Sequence, residues 1–149
     1  MIAPFLAALV LAAPCSAAQT RALFDRFVHA YNAGNLRTLN AVFAPQGDFQ
    51  WYSSNEPGER SNGAATNRRT LIPYFRARHA QRDSLKIVRF KFNGGRGTLA
   101  NFEFVLRRSA SDYLHGSPFR LHGKGAMSCA FAPPVFVVIS LGGPGSDHP

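Results

Sequence analysis

The 149-residue chain has few acidic side chains, with 8 aspartates and glutamates against 17 lysines and arginines and a formal net charge of +9. A strong positive balance favours contact with anionic surfaces. The basic residues are mostly arginines, and they are spread along the chain instead of forming a basic tail. This distribution predicts no specific nucleic-acid partner. Two interpretations of the positive charge stay open: contact with an anionic surface, or an arginine-rich domain without any anionic partner.

Cysteine and long apolar runs are also scarce. The one long apolar run is Ile2–Ala13, which is shorter than the roughly 20 residues of a membrane-spanning helix. Pro14, Cys15 and three small residues follow it, and this order is typical of a secretory signal peptide, although no Lys or Arg precedes the run. We therefore predict cleavage after Ala18 and a secreted or periplasmic protein.

That cut would leave Cys129 as the only cysteine, so no intrachain disulfide is expected. A single cysteine in an apolar strand is predicted to be a small core residue. Cys15 could also be the lipid-modified cysteine of a bacterial lipoprotein. Such proteins have a small residue just before that cysteine, and Pro14 fits this pattern poorly. We expect a signal peptide over residues 1–18, one domain over 19–141, and a flexible C-terminal tail over 142–149.

Motifs for metals and phosphates are missing from the sequence. The five histidines show no paired ligand spacing, and a single cysteine cannot build a zinc site. The glycines at 94, 95 and 97 lack the Lys-Ser/Thr ending of a phosphate-binding loop. We predict no metal and no cofactor.

The first third of the domain is predicted to be helix, break, helix and strand. Thr20 is expected to cap the first helix, Gly34 to end it, and Asn35 to cap the second. Pro45 stops the second helix, and residues 48–53 form a first strand. The first helix has an apolar stripe at helical spacing: Leu23, Phe24, Phe27, Val28 and Tyr31.

A polar loop is expected over residues 54–67, followed by a third helix over 71–81. Thr70 would cap this helix and place Pro73 in its first turn. The remainder is predicted to form strands separated by Gly- and Pro-containing turns, and the first two of these strands alternate. Those strands are predicted over residues 84–92, 98–108, 119–131 and 135–141. The order indicates an α+β fold with an antiparallel sheet.

The segment from Leu23 to Tyr52, with its Asn-Ala-Gly-Asn break and Phe-Ala-Pro stop, resembles the opening of the NTF2-like superfamily. That superfamily includes SnoaL-like proteins and ketosteroid isomerases. The resemblance implies a cone-shaped curved antiparallel sheet with three helices in the N-terminal half, also described as a cystatin-like α+β roll. Such a cone holds a pocket at its wide end.

The same resemblance argues against isomerase chemistry. Ketosteroid isomerases use a Tyr on the first helix and two Asp residues, one of them as the base. The Tyr position falls on Phe27 and the base position on Trp51, while the second acid has no obvious match. A Phe cannot donate a hydrogen bond and a Trp cannot accept the proton.

Other polar residues are weak catalytic candidates. They are Tyr31, Asp48, Glu103 and His122. A Glu103–His122 pair in an apolar cavity would suit acid-base work. Glu103 alternates with Phe102 and Phe104, however, which favours an outer-face position beside a basic residue such as Arg89. The aromatic side chains predicted to line a ligand pocket, or else to form core, are Phe27, Tyr31, Trp51, Tyr74, Phe90, Phe102 and Phe104.

Three functions follow as hypotheses. The first is an exported domain that binds a small apolar or aromatic molecule in its cone. The second is an enzyme of the same fold, of isomerase, cyclase, dehydratase or hydrolase type, acting on a hydrophobic molecule. The third is a non-catalytic homodimeric module using residues 135–141. Arg89, Arg107 and Arg120 side by side on the outer face would favour an anionic partner.

Overall fold

The computed structural model describes residues 14–45, 47–53 and 63–142. These residues form three α-helices, a short 3₁₀ turn at Leu114–Gly116 and one six-stranded sheet. The helices are α1 (Ala17–Ala33), α2 (Leu36–Ala41) and α3 (Arg68–Ala80). The strands are β1 (Gln50–Ser53), β2 (Gly63–Ala65), β3 (Ser84–Gly94), β4 (Leu99–Ser109), β5 (Phe119–Ser128) and β6 (Val135–Leu141). Most of the predicted signal peptide, the first part of the predicted polar loop and nearly all of the predicted tail lie outside the described residues.

The ends of α1 and α2 are set by side-chain caps. Ser16 and Gln19 form a capping box, in which the Gln19 amide donates to Ser16 Oγ at 3.1 Å. Thr20, predicted to be the cap, is instead buried inside the helix. The other end matches the prediction, because Gly34 takes a left-handed φ of 64° and Asn35 caps α2. None of the described helices has the length and apolar composition needed to cross a membrane.

Helix α3 begins earlier than the sequence predicted. Asn67 Oδ1 accepts a hydrogen bond from the Thr70 amide at 3.0 Å, so Asn67 is the cap and the prediction of Thr70 is wrong. Asn is among the strongest capping residues, which explains the earlier start. Pro73 consequently lies in the helix interior, where it removes one backbone hydrogen bond.

The sheet order is β2-β1-β6-β5-β4-β3. Its neighbouring strands are antiparallel except for β1 and β6, which run parallel, so the sheet is mixed where the sequence predicted it to be antiparallel. The chain leaving α2 explains this pairing. The Ala44 amide donates to the Phe136 carbonyl, and the Phe136 amide donates to the Val42 carbonyl, both at 2.8 Å. These two bonds align residues 42–44 parallel to β6, so β1 continues in the same direction.

A bulge in β3 changes which side chains face the core. The register steps from Ile87 opposite Leu106 to Arg89 opposite Val105, leaving Val88 as an extra residue. Strict alternation would have grouped Arg89 with Ile87. The extra residue reverses the alternation, so Phe90 and Phe92 join Leu85 and Ile87 on the inner face, which the helices cover.

Two glycines of β5 make room for phenylalanine rings. Gly123 lies opposite Phe104 and Gly125 opposite Phe102 on the inner face of the sheet. A Cβ on either glycine would overlap the facing ring and crowd a backbone carbonyl of β6. A glycine inside a strand often marks a bend or a close approach of other atoms, and these two admit the phenylalanine rings.

We expect Gly123→Ala to lower the free energy of unfolding by about 1–3 kcal/mol, because an added methyl overpacks the core. Urea unfolding followed by circular dichroism measures this loss. Combining it with Phe104→Leu should recover part of the loss, since a shorter side chain relieves the overlap. Strictly additive losses in the double variant would contradict this explanation.

The two cysteines are bonded to each other. Cys15, immediately before the cap of α1, forms a disulfide with Cys129, just after β5, with their Cα atoms 5.5 Å apart. The prediction of an unpaired core cysteine at 129 is therefore wrong. It failed because it assumed that Cys15 would be removed with the signal peptide.

Candidate functional site

A group of charged and hydroxyl side chains lies where β1 and β4 end and β3 begins, and all of them except the exposed Asp112 are buried. We name it the polar cluster; its members are Tyr31, Ser53, Arg78, Asp83, Arg108 and Asp112. The local structure of α1 and β4 explains why their members of the cluster point toward each other. Tyr31 continues the inward stripe of α1, and Arg108 has the same strand phase as the buried Phe104 and Leu106.

Asp83 is the centre of the cluster. Arg108 donates to both of its carboxylate oxygens, with Nη2 at 2.6 Å from Oδ2 and Nε at 3.0 Å from Oδ1. Arg78 Nε donates to Oδ2 at 2.6 Å, and the Tyr31 hydroxyl donates to the same oxygen at 2.9 Å. Asp83 therefore accepts from three side chains at once.

The remaining guanidinium nitrogens reach outward from this centre. Arg108 Nη1 donates to Ser53 Oγ at 3.0 Å, tying β4 to the last residue of β1. Arg78 Nη1 and Nη2 donate to the two oxygens of Asp112 at 2.8 and 3.0 Å. These bonds connect α1, α3, β1 and β4 through one network.

The charges of the cluster balance, with two guanidinium groups against two carboxylates. Asp83 and Arg108 are only 2% and 1% exposed, so either charge alone would be very costly. Burial acts to lower the pKa of Arg108, but its hydrogen bonds to Asp83 and its electrostatic interactions with Tyr31, Asp83 and Tyr74 together raise that pKa, so the guanidinium stays charged. Hydrogen bonding from Arg78 lowers the pKa of Asp112 despite partial burial.

This arrangement suits locking the fold better than acid-base catalysis. Burial raises the pKa of Tyr31 well above its usual value; the nearby Arg108 opposes that rise and Asp83 adds to it. The Tyr31 hydroxyl therefore stays protonated and donates to Asp83. Because three donors occupy Asp83, its carboxylate is poorly placed to take a proton from a substrate.

Two further polar atoms near the cluster have no hydrogen-bond partner among the residues that the structure describes. They are the buried Trp51 Nε1 and Tyr74 hydroxyl. Trp51 comes two residues before Ser53 on the same face of β1, and its ring centroid is 5.8 Å from that of Tyr74. A buried donor without an acceptor costs about 1–3 kcal/mol, so such atoms call for an explanation.

Comparison with known proteins gives a fold but no close relative. No protein-family model matches the chain, and no curated protein matches it. Solved structures do match. An NTF2-like superfamily protein from Salmonella enterica has a TM-score of 0.66 at 11% identity, with 88% of this chain and 92% of that chain covered. The β subunit of benzoate 1,2-dioxygenase from Burkholderia mallei has a TM-score of 0.68 at 14% identity, with 87% and 91% covered. The chain has the NTF2-like fold.

A protein with a cystatin-like fold from Nostoc punctiforme is also similar, with a TM-score of 0.66 at 14% identity, and 87% of this chain and 94% of that chain are covered. These likenesses confirm the α+β cone that the resemblance implied. Because the sequence identity to each of these three structures is below one fifth, the likenesses show the fold alone and do not indicate a ligand or a reaction.

Within the NTF2-like cone, most of the predicted pocket aromatics pack against each other. Phe27 is fully buried, with ring centroids 5.9 Å from Tyr31 and from Trp51 and 6.4 Å from Phe75. Nearer the start of α1, Phe24 packs over the sheet. The predicted residues Phe90, Phe102 and Phe104 surround it at 5.4, 5.6 and 4.6 Å. Trp51 and Tyr74 are the two rings of this packing whose polar atoms lack a hydrogen-bond partner among the described residues.

The weak catalytic candidates do not come together. Asp48 is exposed before β1, and Tyr31 is held in the polar cluster. Glu103 faces outward, with Lys91 Nζ at 4.0 Å and Lys124 as its other cross-strand neighbour. His122 pairs with Val105. The outward position of Glu103 was anticipated, with a lysine in place of Arg89.

The described part of the chain contains no group of three or more His, Cys, Asp or Glu side chains arranged to hold a metal ion. The strand predicted to mediate dimerisation, β6, lies inside the sheet between β1 and β5. Its side chains at 136, 139 and 141 belong to the core, so only part of it faces outward. Dimerisation remains a prediction.

Sequence reasoning missed the polar cluster, although signals for it were present. Arg78 falls on the apolar phase of α3, and Arg108 follows Phe104 and Leu106 at strand spacing. A charge at a core position indicates a buried partner. Asp83, just before β3, was the acid available to both.

Proposed function

We propose that this NTF2-like protein binds a small apolar or aromatic molecule that carries a hydrogen-bond acceptor, and that it does so without ketosteroid isomerase-type chemistry. The observation behind the proposal is a pair of buried donors, Trp51 Nε1 and the Tyr74 hydroxyl, that have no acceptor within the described part of the chain. One acceptor group on a ligand would satisfy them and remove the cost of leaving them unpaired.

The surroundings favour a flat ligand. The Trp51 ring lies 5.0 Å from Phe75 and 5.8 Å from Tyr74, so aromatic surfaces adjoin both donors. Ligand sites commonly combine mostly apolar walls with a few placed polar groups. The polar cluster next to them is saturated with internal hydrogen bonds and would hold those walls in place.

The second hypothesis, an enzyme of this fold, has less support. Phe27 and Trp51 occupy the positions of the isomerase Tyr and base, and neither can transfer a proton. Asp48, Glu103 and His122 lie apart from Tyr31, and Tyr31 itself already donates to Asp83. Binding therefore accounts for more of the geometry than catalysis does.

A matched pair of probes tests the need for an acceptor. We expect 2-naphthoate to bind about tenfold more tightly than naphthalene, because a net hydrogen bond contributes about 1 kcal/mol or more. Trp51 is the only tryptophan, so its fluorescence reports directly on the site. Calorimetric titration supplies the two dissociation constants.

The expected effect of Tyr74→Phe is to weaken 2-naphthoate binding by about tenfold and to leave naphthalene binding unchanged, since only the hydroxyl is lost. Tyr52→Phe is the control, because the Tyr52 hydroxyl contacts Gln50 at 3.1 Å on the outer face. Absence of binding by both probes would overturn the proposed function. Equal binding that Tyr74→Phe does not alter would overturn the role of the acceptor.

We also propose that the protein is exported and that its signal peptide is cut before Cys15. The apolar run of residues 2–13 supports export, and so does the disulfide, because such bonds persist in oxidising compartments. Cutting after Ala18 would remove both Cys15 and the Ser16 cap of α1. A cut closer to Ala13 retains both.

A further inference from the structure

The outer face of the sheet carries a dense array of basic side chains on β3, β4 and β5. We call this array the basic face; it consists of Lys86, Arg89, Lys91, Arg107, Arg120 and Lys124. All six residues are exposed. They make up a large part of the positive charge of the molecule, and they lie on the side opposite the helices.

Strand phase and the β3 bulge together create this face. On β4, Glu103, Val105 and Arg107 alternate with the inward Phe104, Leu106 and Arg108, so they point outward. The bulge at Val88 turns Arg89 outward opposite Val105. Without the bulge, Arg89 and Lys91 would point toward the core.

The basic residues stand directly opposite one another. Arg107 pairs with Lys86 on one side and with Arg120 on the other, forming a row of three cations across three strands. Neighbouring strands are only about 4.8 Å apart, and like charges directly opposite each other destabilise a sheet. The fold tolerates this repulsion, and an anionic partner would convert it into attraction.

Acidic residues offset little of this charge. Glu103 is the acid within the array, and Lys91 approaches it at 4.0 Å. Among the described residues, Lys86, Arg89, Arg107, Arg120 and Lys124 form no salt bridge with a carboxylate; Asp83 and Asp112 are already engaged in the polar cluster. The positive potential of the face therefore remains directed outward.

We propose that the basic face binds the surface of an anionic phospholipid bilayer. Its charges are spread in two dimensions, over three strands and about four residues of strand length, or roughly 10 by 13 Å. A bilayer presents anionic headgroups over an area of this kind. Each Lys or Arg near such a surface contributes about 1 kcal/mol of attraction.

The composition of the face favours lipid over nucleic acid. Among the described side chains that β3, β4 and β5 present outward, none is Phe, Tyr or Trp, so the bases of a single strand have no large ring to stack on. At the bulge, Val88 is 48% exposed between Lys86 and Arg89, which offers an apolar contact at the headgroup boundary. The face is also a sheet surface, with no helix positioned to enter a DNA groove.

Vesicle sedimentation with the full exported chain tests this proposal. We expect binding to vesicles of equimolar phosphatidylglycerol and phosphatidylcholine, and none to phosphatidylcholine alone. Added salt should release the protein, because the screening length falls from about 10 Å at 0.1 M to about 3 Å at 1 M. The triple variant Lys86→Gln, Arg107→Gln, Arg120→Gln should bind about a hundredfold more weakly, from three lost contacts of about 1 kcal/mol each.

The matched control is Arg26→Gln, Arg37→Gln, Arg76→Gln, which removes the same charge from exposed positions on the helices. It should bind nearly as well as the wild type. An equal loss in both variants would show that net charge, rather than this face, governs binding, and would overturn the proposal. Binding to DNA with none to the mixed vesicles would overturn it in favour of nucleic acid. Thermal melts check that both triple variants fold. The variant Lys86→Gln, Arg107→Gln, Arg120→Gln should melt no lower than the wild type, since it relieves the repulsion between neighbouring cations.

Discussion

Replacing Asp83 by Asn is expected to lower the free energy of unfolding by about 3–5 kcal/mol, the usual cost of removing one partner from a buried ion pair. The substitution hardly changes shape, but it leaves Arg78 and Arg108 facing each other without the carboxylate between them. Arg108 is 1% exposed, so water cannot take over the lost hydrogen bonds. Because whole domains are stable by only about 5–15 kcal/mol, urea unfolding should show a large shift of the midpoint.

Asp25→Asn is the control for this experiment. Asp25 also pairs with an arginine, Arg21, at 2.9 Å, but both side chains are about half exposed. Exposed pairs one helical turn apart are worth only about 0.3–0.5 kcal/mol. If Asp83→Asn cost no more than Asp25→Asn, the polar cluster would not be the lock that its geometry indicates.

The parts of the fold that were predictable are those with strong local signals. Gly34 and Asn35 are adjacent in sequence and act through their own backbone and side chain, so the break between α1 and α2 follows from the residues alone. Strands β3 and β4 were found by alternation, and β6 was found as a short apolar run. The bulge at Val88 was missed because a strand of mixed polarity does not show where one residue leaves the ladder.

The candidate site was harder to predict because its members come from distant parts of the chain. Tyr31 and Asp83 are 52 residues apart, and Arg108 and Ser53 are 55 apart. No local pattern encodes such pairings. The apolar stripe of α1 and the alternation of β1 predicted that Tyr31 and Trp51 point inward. Only the structure shows which buried polar atoms lack a hydrogen-bond partner among the described residues.

The second large effect concerns the disulfide between Cys15 and Cys129. We expect the double variant Cys15→Ala, Cys129→Ala to lose about 2–5 kcal/mol of unfolding free energy. The bridge links residues 114 apart in sequence, so it restricts the unfolded chain over nearly the whole domain. In the folded state it also holds the start of α1 against the turn after β5. Urea unfolding with and without reductant measures the sum of the two contributions.

Reductant is the internal control, since it should destabilise the wild type and leave the double variant unchanged. Non-reducing peptide mapping of the exported protein should find the peptide containing Cys15 linked to that containing Cys129, and intact mass should place the N-terminus before Cys15. A mature chain beginning at Gln19 would contradict this expectation, because it would lack the bridge and the Ser16 cap together. Helix α1 would then begin without its capping box, and Cys129 would be left as a free thiol.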